Sequence, residues 1–147
     1  MTSHRKPTAS GPTDNPLARA VGVVGDRWSL LVVDALMDGP LRFGDLLDAI
    51  DGLAPNILSR RLKQLEADRL VLAEPYSRRP LRHSYRLTAG GLELAGVLRL
   101  LAQWASARDG EATVAHDACG TPLEAQWYCP TCTTVVPSTD ASELRWV

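Results

Sequence analysis

Four side chains near the C-terminus have the types and the spacing of a metal site. They follow the pattern His116-x2-Cys119-x9-Cys129-x2-Cys132, which contains all three cysteines of the chain. Two close pairs separated by a short loop can place nitrogen and sulfur ligands at the corners of a tetrahedron, as structural zinc requires. Gly120 directly follows the first pair and suits a tight turn. The sequence therefore predicts a structural Zn²⁺ bound by His116, Cys119, Cys129 and Cys132.

Other uses of the same cysteines stay open. Cys129 and Cys132 form a C-x-x-C pair, which is the spacing of a dithiol redox site, although the strand–helix context of a thioredoxin-like site is missing. The thiols could also be inert, and a water molecule or Asp117 could take the place of His116. The segment is too short to bury an apolar core, so a metal would contribute its folding energy directly. It resembles a small zinc ribbon.

A second chemically distinctive region is a basic segment in the middle of the chain. The formal net charge is only −1, from 16 basic and 17 acidic residues. Between residues 55 and 86, however, basic side chains clearly outnumber acidic ones. The basic residues there are Arg60, Arg61, Lys63, Arg69, Arg78, Arg79, Arg82 and Arg86. Such a concentration is what an electrostatic footprint for phosphates requires.

A helix over residues 55–68 would divide the first part of this segment into two faces. At 100° per residue, Leu58, Leu62 and Leu65 form one apolar stripe. Arg61 lies at the margin of that stripe, where it could contact a phosphate or extend along the apolar surface. The opposite face carries only side chains that can donate to base edges or phosphates. With Arg61, the predicted DNA contacts of this helix are Asn56, Ser59, Arg60, Lys63 and Gln64.

The loop over residues 75–83 supplies a second basic group. Its candidate contacts are Arg78, Arg79, Arg82 and His83. A helix in the major groove with an adjacent wing on the phosphates would use both groups. We therefore predict that the helix and the loop bind DNA together.

The elements that would position these residues are helices followed by a hairpin. Apolar periodicity predicts helices over residues 16–25, 27–37, 43–50 and 55–68, strands over 70–74 and 84–87, and a long helix over 89–108. This order is typical of a winged helix-turn-helix, a mainly α fold with a small β-hairpin (α+β). An unspecific small α+β domain is the alternative.

The composition limits the domain organisation and the class of protein. Hydrophobic residues make up 45% and charged residues 22% of the 147 residues, as in globular proteins. We predict a disordered leader over 1–13, a winged-helix DNA-binding and dimerisation domain over 14–110, a zinc-ribbon-like tail over 111–137 and an extension over 138–147. The sequence has no apolar run long enough for a membrane span, no signal h-region, and no P-loop, G-x-G-x-x-G or G-x-S-x-G motif. A cytoplasmic binding protein is therefore expected, and an enzyme is not.

Several motifs in order resemble the HxlR-type family of bacterial transcription regulators. They are GDRWSLLV at residues 25–32, GPLRFGDL at 39–46, LSRRLKQLEADRL at 58–70 and YRLT at 85–88. The resemblance covers about residues 15–108. Two departures stand out: Asn15 replaces a cysteine that senses oxidants in many members, and Arg69 replaces the usual glycine before the wing. The first excludes thiol sensing through that position, and the second questions the geometry of the turn.

The resemblance implies a winged-helix homodimer that binds a two-fold related operator as a repressor or activator. Its terminal helices look like the dimer-forming parts, because the last helix is longer than a small winged helix needs. The residues expected in the dimer are Leu17, Val21, Leu94, Leu98, Leu101 and Trp104.

The predicted function is therefore sequence-specific regulation of transcription, with double-stranded DNA as the partner. The family also leaves room for a small-molecule effector, and no membrane partner is expected. Two alternatives remain: a zinc-stabilised protein-interaction module on a winged-helix scaffold, and a thiol redox sensor acting through the C-terminal cysteines.

Overall fold

The structure is a computed structural model that describes residues 15–110 and 114–137. Its elements are α1 (Pro16–Val24), α2 (Arg27–Ala35), β1 (Leu41–Arg42), α3 (Phe43–Ala49), α4 (Pro55–Ala67), β2 (Val71–Arg78), β3 (Leu81–Leu87), α5 (Ala89–Asp109), β4 (Trp127–Cys129) and β5 (Thr134–Val136). The chain divides into one unit up to Leu98 and a second from Arg99. The predicted leader over 1–13 and extension over 138–147 lie outside the described residues. The predicted domain boundaries stay predictions.

The first two helices begin at side-chain caps. The Asn15 side chain accepts a hydrogen bond of 2.8 Å from the Leu17 amide at the start of α1, where Pro16 takes the first helical position. The Asp26 side chain accepts from the Trp28 and Ser29 amides at the start of α2. All five predicted helices are present, and their ends differ from the predicted ends by only one or two residues. The α+β winged-helix prediction is confirmed.

The sheet of the first unit is antiparallel and has the order β1-β3-β2. Strand β1 was not predicted, since two residues carry no periodic signal. The hairpin is also longer than predicted: most of the expected loop over 75–83 belongs to β2 and β3, and only Arg79 and Pro80 lie between them. Pro75 does not end β2 because the register shifts between Pro75 and Ser77, and a bulge tolerates a residue without an N–H donor.

The core of the first unit lies between the helices and the hairpin. Its buried residues are Val32, Val33, Leu36, Leu46, Ile50, Leu53, Leu58, Leu62, Leu65, Val71, Leu87 and Leu98. Leu98 is only 8% exposed, and Leu94 packs against the cluster. These two residues were expected in the dimer interface. They pack instead in the core of their own chain, because this part of the apolar stripe of α5 faces that core.

The junction between the hairpin and α5 is tightly bonded. Thr88 Oγ1 donates to the carbonyl oxygen of Arg69 at 2.6 Å and accepts from the Gly91 amide at 3.0 Å, while the Thr88 amide donates to the Leu70 carbonyl. Arg69 has a φ of 59°, in the left-handed region that favours glycine. This explains why a glycine is usual at this position in the family that the sequence resembles.

The second unit includes a small hairpin beyond α5. Strands β4 and β5 pair antiparallel, with Tyr128 opposite Val135, and an isolated bridge joins Ala115 to Pro122. The Gln103 side chain donates to the Leu123 carbonyl at 3.3 Å. Within the described residues, none of the helices has the length and apolar character that crossing a membrane requires.

Candidate nucleic-acid interface

Helix α4 presents a polar face to solvent because its leucines are anchored in the core. Leu58, Leu62 and Leu65 are at most 2% exposed. The side chains predicted to contact DNA on the other face, namely Asn56, Ser59, Arg60, Lys63 and Gln64, are all exposed. Gln64 also donates to Asp68 at 3.0 Å, so that its amide has a partner within the chain. The structure thus gives α4 the two faces that its sequence predicts.

Arg61 has a partner that the sequence analysis did not identify. Its Nε lies 3.0 Å from Oδ2 of Asp26, the cap of α2, although the two do not form an aligned hydrogen bond. Only about a quarter of each side chain is exposed, 25% for Arg61 and 29% for Asp26. The predicted DNA contact of Arg61 thus competes with an ion pair that joins α4 to α2. The two residues are far apart in sequence, so no local pattern could reveal the pair.

The Asp26 carboxylate is the centre of a small network. It accepts hydrogen bonds from the Ser29 hydroxyl and from the Trp28 and Ser29 amides, and it faces Arg61. Partial burial raises its pKa, but these hydrogen bonds and the positive charge of Arg61 lower it further, so that the pKa of Asp26 lies below its ordinary value. The network therefore stabilises α2 and α4 together while Asp26 is ionised.

We expect Asp26→Ala to lower the free energy of unfolding by about 2 kcal/mol at neutral pH. The loss combines a helix cap, typically about 0.5–2 kcal/mol, with an Arg61 charge left without its partner. Asn15→Ala is the matched control, because Asn15 caps α1 at an exposed site. It should cost about 1 kcal/mol or less. Urea unfolding of both variants measures the difference, and equal losses would contradict the role of Arg61.

The same network gives stability a defined pH dependence. A carboxyl whose folded pKa is lowered stabilises fully above its unfolded pKa of about 3.9, and this contribution disappears as the pH falls through the folded value. The stability difference between wild type and Asp26→Asn should therefore be constant near neutrality and shrink below about pH 4. A difference that persists unchanged in acid would show that the charge of Asp26 contributes nothing.

The hairpin carries the second predicted group of contacts. Arg78, Arg79 and Arg82 are exposed around its tip, whereas His83 lies within β3 and is partly buried. Arg86, further along β3, is engaged in an ion pair with Glu74, with Nε 2.6 Å from Oε1. The free positive charge of the hairpin is thus concentrated at its tip.

Two clefts lie between the hairpin and the helices. The first, of about 470 Å³, is lined by residues from the start of α3 and from the hairpin, including Arg42, Tyr76 and Arg82. The second, of about 230 Å³, includes Ser59 and Lys63 of α4. Phe43, His83 and Tyr85 line both clefts. The polar face of α4 and the basic hairpin therefore border one continuous surface.

Arg42 is a basic side chain on this surface that the sequence analysis did not select. Its guanidinium lies over the ring of Tyr76, 4.6 Å from the ring centre, and both residues line the larger cleft. The sequence could have indicated Arg42 as a candidate DNA contact, since it is the basic residue of the GPLRFGDL motif and precedes Phe43. Tyr85 lines both clefts, and burial and the charge of Glu66 raise the pKa of its hydroxyl.

The predicted zinc ligands do not come together. His116 lies beside Cys119, while Cys129 ends β4 and Cys132 lies in the turn that leads to β5. In the described part of the chain, no three His, Cys, Asp or Glu side chains are arranged to hold a metal ion. The zinc site therefore stays a prediction.

Residues 23–112 match the family described as HxlR-like helix-turn-helix. The chain is 33% identical over 121 residues to the uncharacterized HTH-type transcriptional regulator Rv3095 of Mycobacterium tuberculosis. That alignment covers 79% of this chain and 76% of the relative.

Solved structures of regulators show the same fold. The reduced transcriptional regulator YodB of Bacillus subtilis is 32% identical, with a TM-score of 0.55, over 63% of this chain and 91% of that one. A putative transcription factor of Pseudomonas aeruginosa, PA1374, is 32% identical, with a TM-score of 0.64, over 84% of this chain and 87% of that one. The alignment with PA1374 covers more residues than the part of the chain that ends with the family match at residue 112. The similarity therefore extends into the cysteine-bearing tail.

Proposed function

The chain belongs to the HxlR-like helix-turn-helix family and is a transcriptional regulator, and on this basis we propose that it binds a specific operator in double-stranded DNA as a homodimer. Its relatives are regulators with a DNA-binding fold, not enzymes. The observation that carries the proposal is the shared surface of α4 and the hairpin. Lys63 of α4 and His83 of β3 line one cleft, so both elements face the same partner.

The two elements have different tasks in the proposed complex. Helix α4 enters the major groove, where Arg60 reads a guanine and Asn56 an adenine. The arginines of the hairpin tip bind phosphates, and Arg42 adds a phosphate contact from the start of α3. Arg61 stays with Asp26 and holds α4 in place. The proposed binding to chromosomal DNA implies that the protein acts in the cytoplasm.

The homodimer is supported by apolar side chains that the rest of the described residues leave exposed. Helix α1 has no buried residue, and Leu17 and Val21 are 63% and 55% exposed. A nine-residue helix is not stable alone in water, so α1 needs a partner surface. On α5, Leu101 and Trp104 are likewise exposed, at 49% and 61%. A second copy is the occupant we propose, since a two-fold dimer matches two operator half-sites about one helical turn apart.

The cysteine-bearing tail is an accessory unit in this proposal. The described residues 114–137 contain no Lys or Arg, and Asp117 and Glu124 make the segment acidic. Such a segment is repelled by phosphates, so we assign no DNA contact to it. In this proposal, the predicted zinc site contributes to the folding of the tail and not to DNA binding.

Arg60→Ala tests the proposed reading of bases. Operator fragments are first selected from genomic DNA, and affinity is then measured by fluorescence anisotropy on the operator and on random DNA of equal length. If Arg60 reads a guanine, its loss should cost about 1–3 kcal/mol on the operator, a decrease of about 5- to 150-fold, and much less on random DNA.

Arg99→Ala is the matched control, because Arg99 is an exposed arginine on α5 outside the proposed surface. It should leave both affinities unchanged. Equal losses on operator and random DNA after Arg60→Ala would leave Arg60 with a phosphate contact only. Absence of any selected operator at low salt would contradict the proposed function itself.

A further inference from the structure

The first cysteine of the tail lies in a tight turn with His116. The carbonyl of His116 accepts from the amides of Cys119 and Gly120, at 3.2 and 2.7 Å, and the His116 amide donates to the Thr121 carbonyl. Gly120 has a φ of 69°. The turn places His116 Nδ1 3.3 Å from Cys119 Sγ. Two ligands of one tetrahedral zinc, at about 2.0 and 2.3 Å from the metal, are separated by about 3.5 Å, so this pair already has the required spacing.

The second pair lies in a turn of the same kind. Cys129 ends β4, and Cys132 lies in the turn that joins β4 to β5. The residue directly after Cys132, Thr133, has a φ of 52°. In both turns, therefore, the second ligand is followed by a residue in the left-handed conformation. For Thr133 this conformation carries a steric cost, because threonine is β-branched.

The described residues 114–137 provide no buried core to hold these turns together. In the described residues 114–137 no residue is buried, and Trp127 and Tyr128 of β4 are 60% and 58% exposed. The only regular structure there is a hairpin of two three-residue strands. An isolated two-stranded hairpin is at best marginally stable in water, and a segment without a core usually needs a disulfide or a metal.

We propose that the tail folds around one Zn²⁺ per chain, held by His116 Nδ1 and the sulfurs of Cys119, Cys129 and Cys132. One nitrogen and three thiolates form a donor set that structural zinc prefers. The nine residues between the pairs are long enough to let the pairs meet. Zinc binding requires the two turns to approach each other, and it orders the segment between them. The metal thus supplies the folding energy that the missing core does not.

The test uses the full chain without an affinity tag, because histidine tags bind zinc. The protein is reduced, stripped of metal, reloaded with Zn²⁺ and desalted, and metal is measured per chain. We expect one zinc per chain in wild type, and at least about tenfold weaker binding in Cys132→Ser and His116→Ala. Asp117→Asn is the matched control, since Asp117 is the exposed acid next to His116. It should bind zinc like wild type.

Two further readouts do not depend on variants. Wild type reloaded with Co²⁺ should show the sulfur-to-cobalt charge-transfer absorption and strong visible bands of a tetrahedral thiolate site. Limited proteolysis should cut within residues 114–137 in the stripped protein and spare this segment after zinc is added.

Three results would overturn the proposal. The first is no retained metal under reducing conditions. The second is loss of zinc in Asp117→Asn but not in His116→Ala, which would replace one ligand by the carboxylate. The third is a Cys129–Cys132 disulfide in protein purified without reductant whose thiols, once reduced, bind no metal, which would assign the pair to redox chemistry.

Discussion

A chain carrying Leu17→Glu and Val21→Glu should be monomeric and should bind the operator at least about 100-fold more weakly than wild type. The two side chains lie one turn apart on α1 and are more than half exposed, and α1 has no buried residue. Glutamates on this stripe would have to be buried without partners in the dimer, which costs several kcal/mol. A monomer binds only one half-site and loses the gain of a linked second site, which amounts to about 10²–10⁴ in affinity.

Sedimentation and fluorescence anisotropy measure the two effects on the same samples. The matched control is Ala18→Glu with Gly22→Glu, which has the same charge and spacing but lies about 100° around α1 from the apolar stripe. An added Cβ at Gly22 meets no atom within 4 Å, so the site tolerates a side chain at its base. The control should remain dimeric and keep most of its affinity. A Leu17→Glu, Val21→Glu chain that stays dimeric would show that α1 is not in the interface.

Gly91→Ala should destabilise the first unit by at least about 3 kcal/mol, because overpacking usually costs about 1–3 kcal/mol and here the obstacle is backbone. A Cβ on Gly91 would overlap the carbonyl oxygen of Leu70 and lie 3.1 Å from Leu87 Cδ2. Neither can move away easily, since the Leu70 carbonyl accepts from the Thr88 amide and Leu87 is in the core. The melting temperature should fall by about 12 °C or more.

The same helix contains its own control. Gly96 has no atom within 4 Å of an added Cβ. Gly96→Ala should therefore stabilise the chain by about 0.5–1 kcal/mol, the usual gain on removing a glycine from a helix interior. Thermal unfolding of both variants measures the contrast. A Gly91→Ala chain as stable as wild type would mean that α5 does not approach Leu70 as closely as the structure shows.

The helices could be predicted from the sequence because each carries its own apolar period and its own start signal. Asn15 and Asp26 cap α1 and α2, and Pro55 begins α4. The two faces of α4 followed from the same period. The local sequence therefore determines the helices of this fold, and with them the exposed candidates for DNA contact on α4.

Other features depend on tertiary contacts and could not be predicted in this way. The period of α5 marks Leu98 and Leu101 as one apolar stripe, but it cannot tell which side chain meets the core and which meets solvent. The partner of Arg61 is supplied by a different helix. Strand β2 continues past Pro75 because a bulge at this point accommodates a residue that has no N–H donor. Each difference arises where a distant segment decides the role of a residue.

The bonds that join Thr88 to the backbone of Arg69, Leu70 and Gly91 have a mechanical consequence for regulation. They leave no flexible linker between the base of the hairpin and the first turn of α5. If the α5 helices of the proposed dimer tilt against each other, each hairpin must rotate together with the helix to which it is bonded. A change of a few degrees at the axis would thus alter the distance between the two wing tips, and with it the half-site spacing that the dimer accepts. An effector could then act on operator choice without touching a DNA-binding residue.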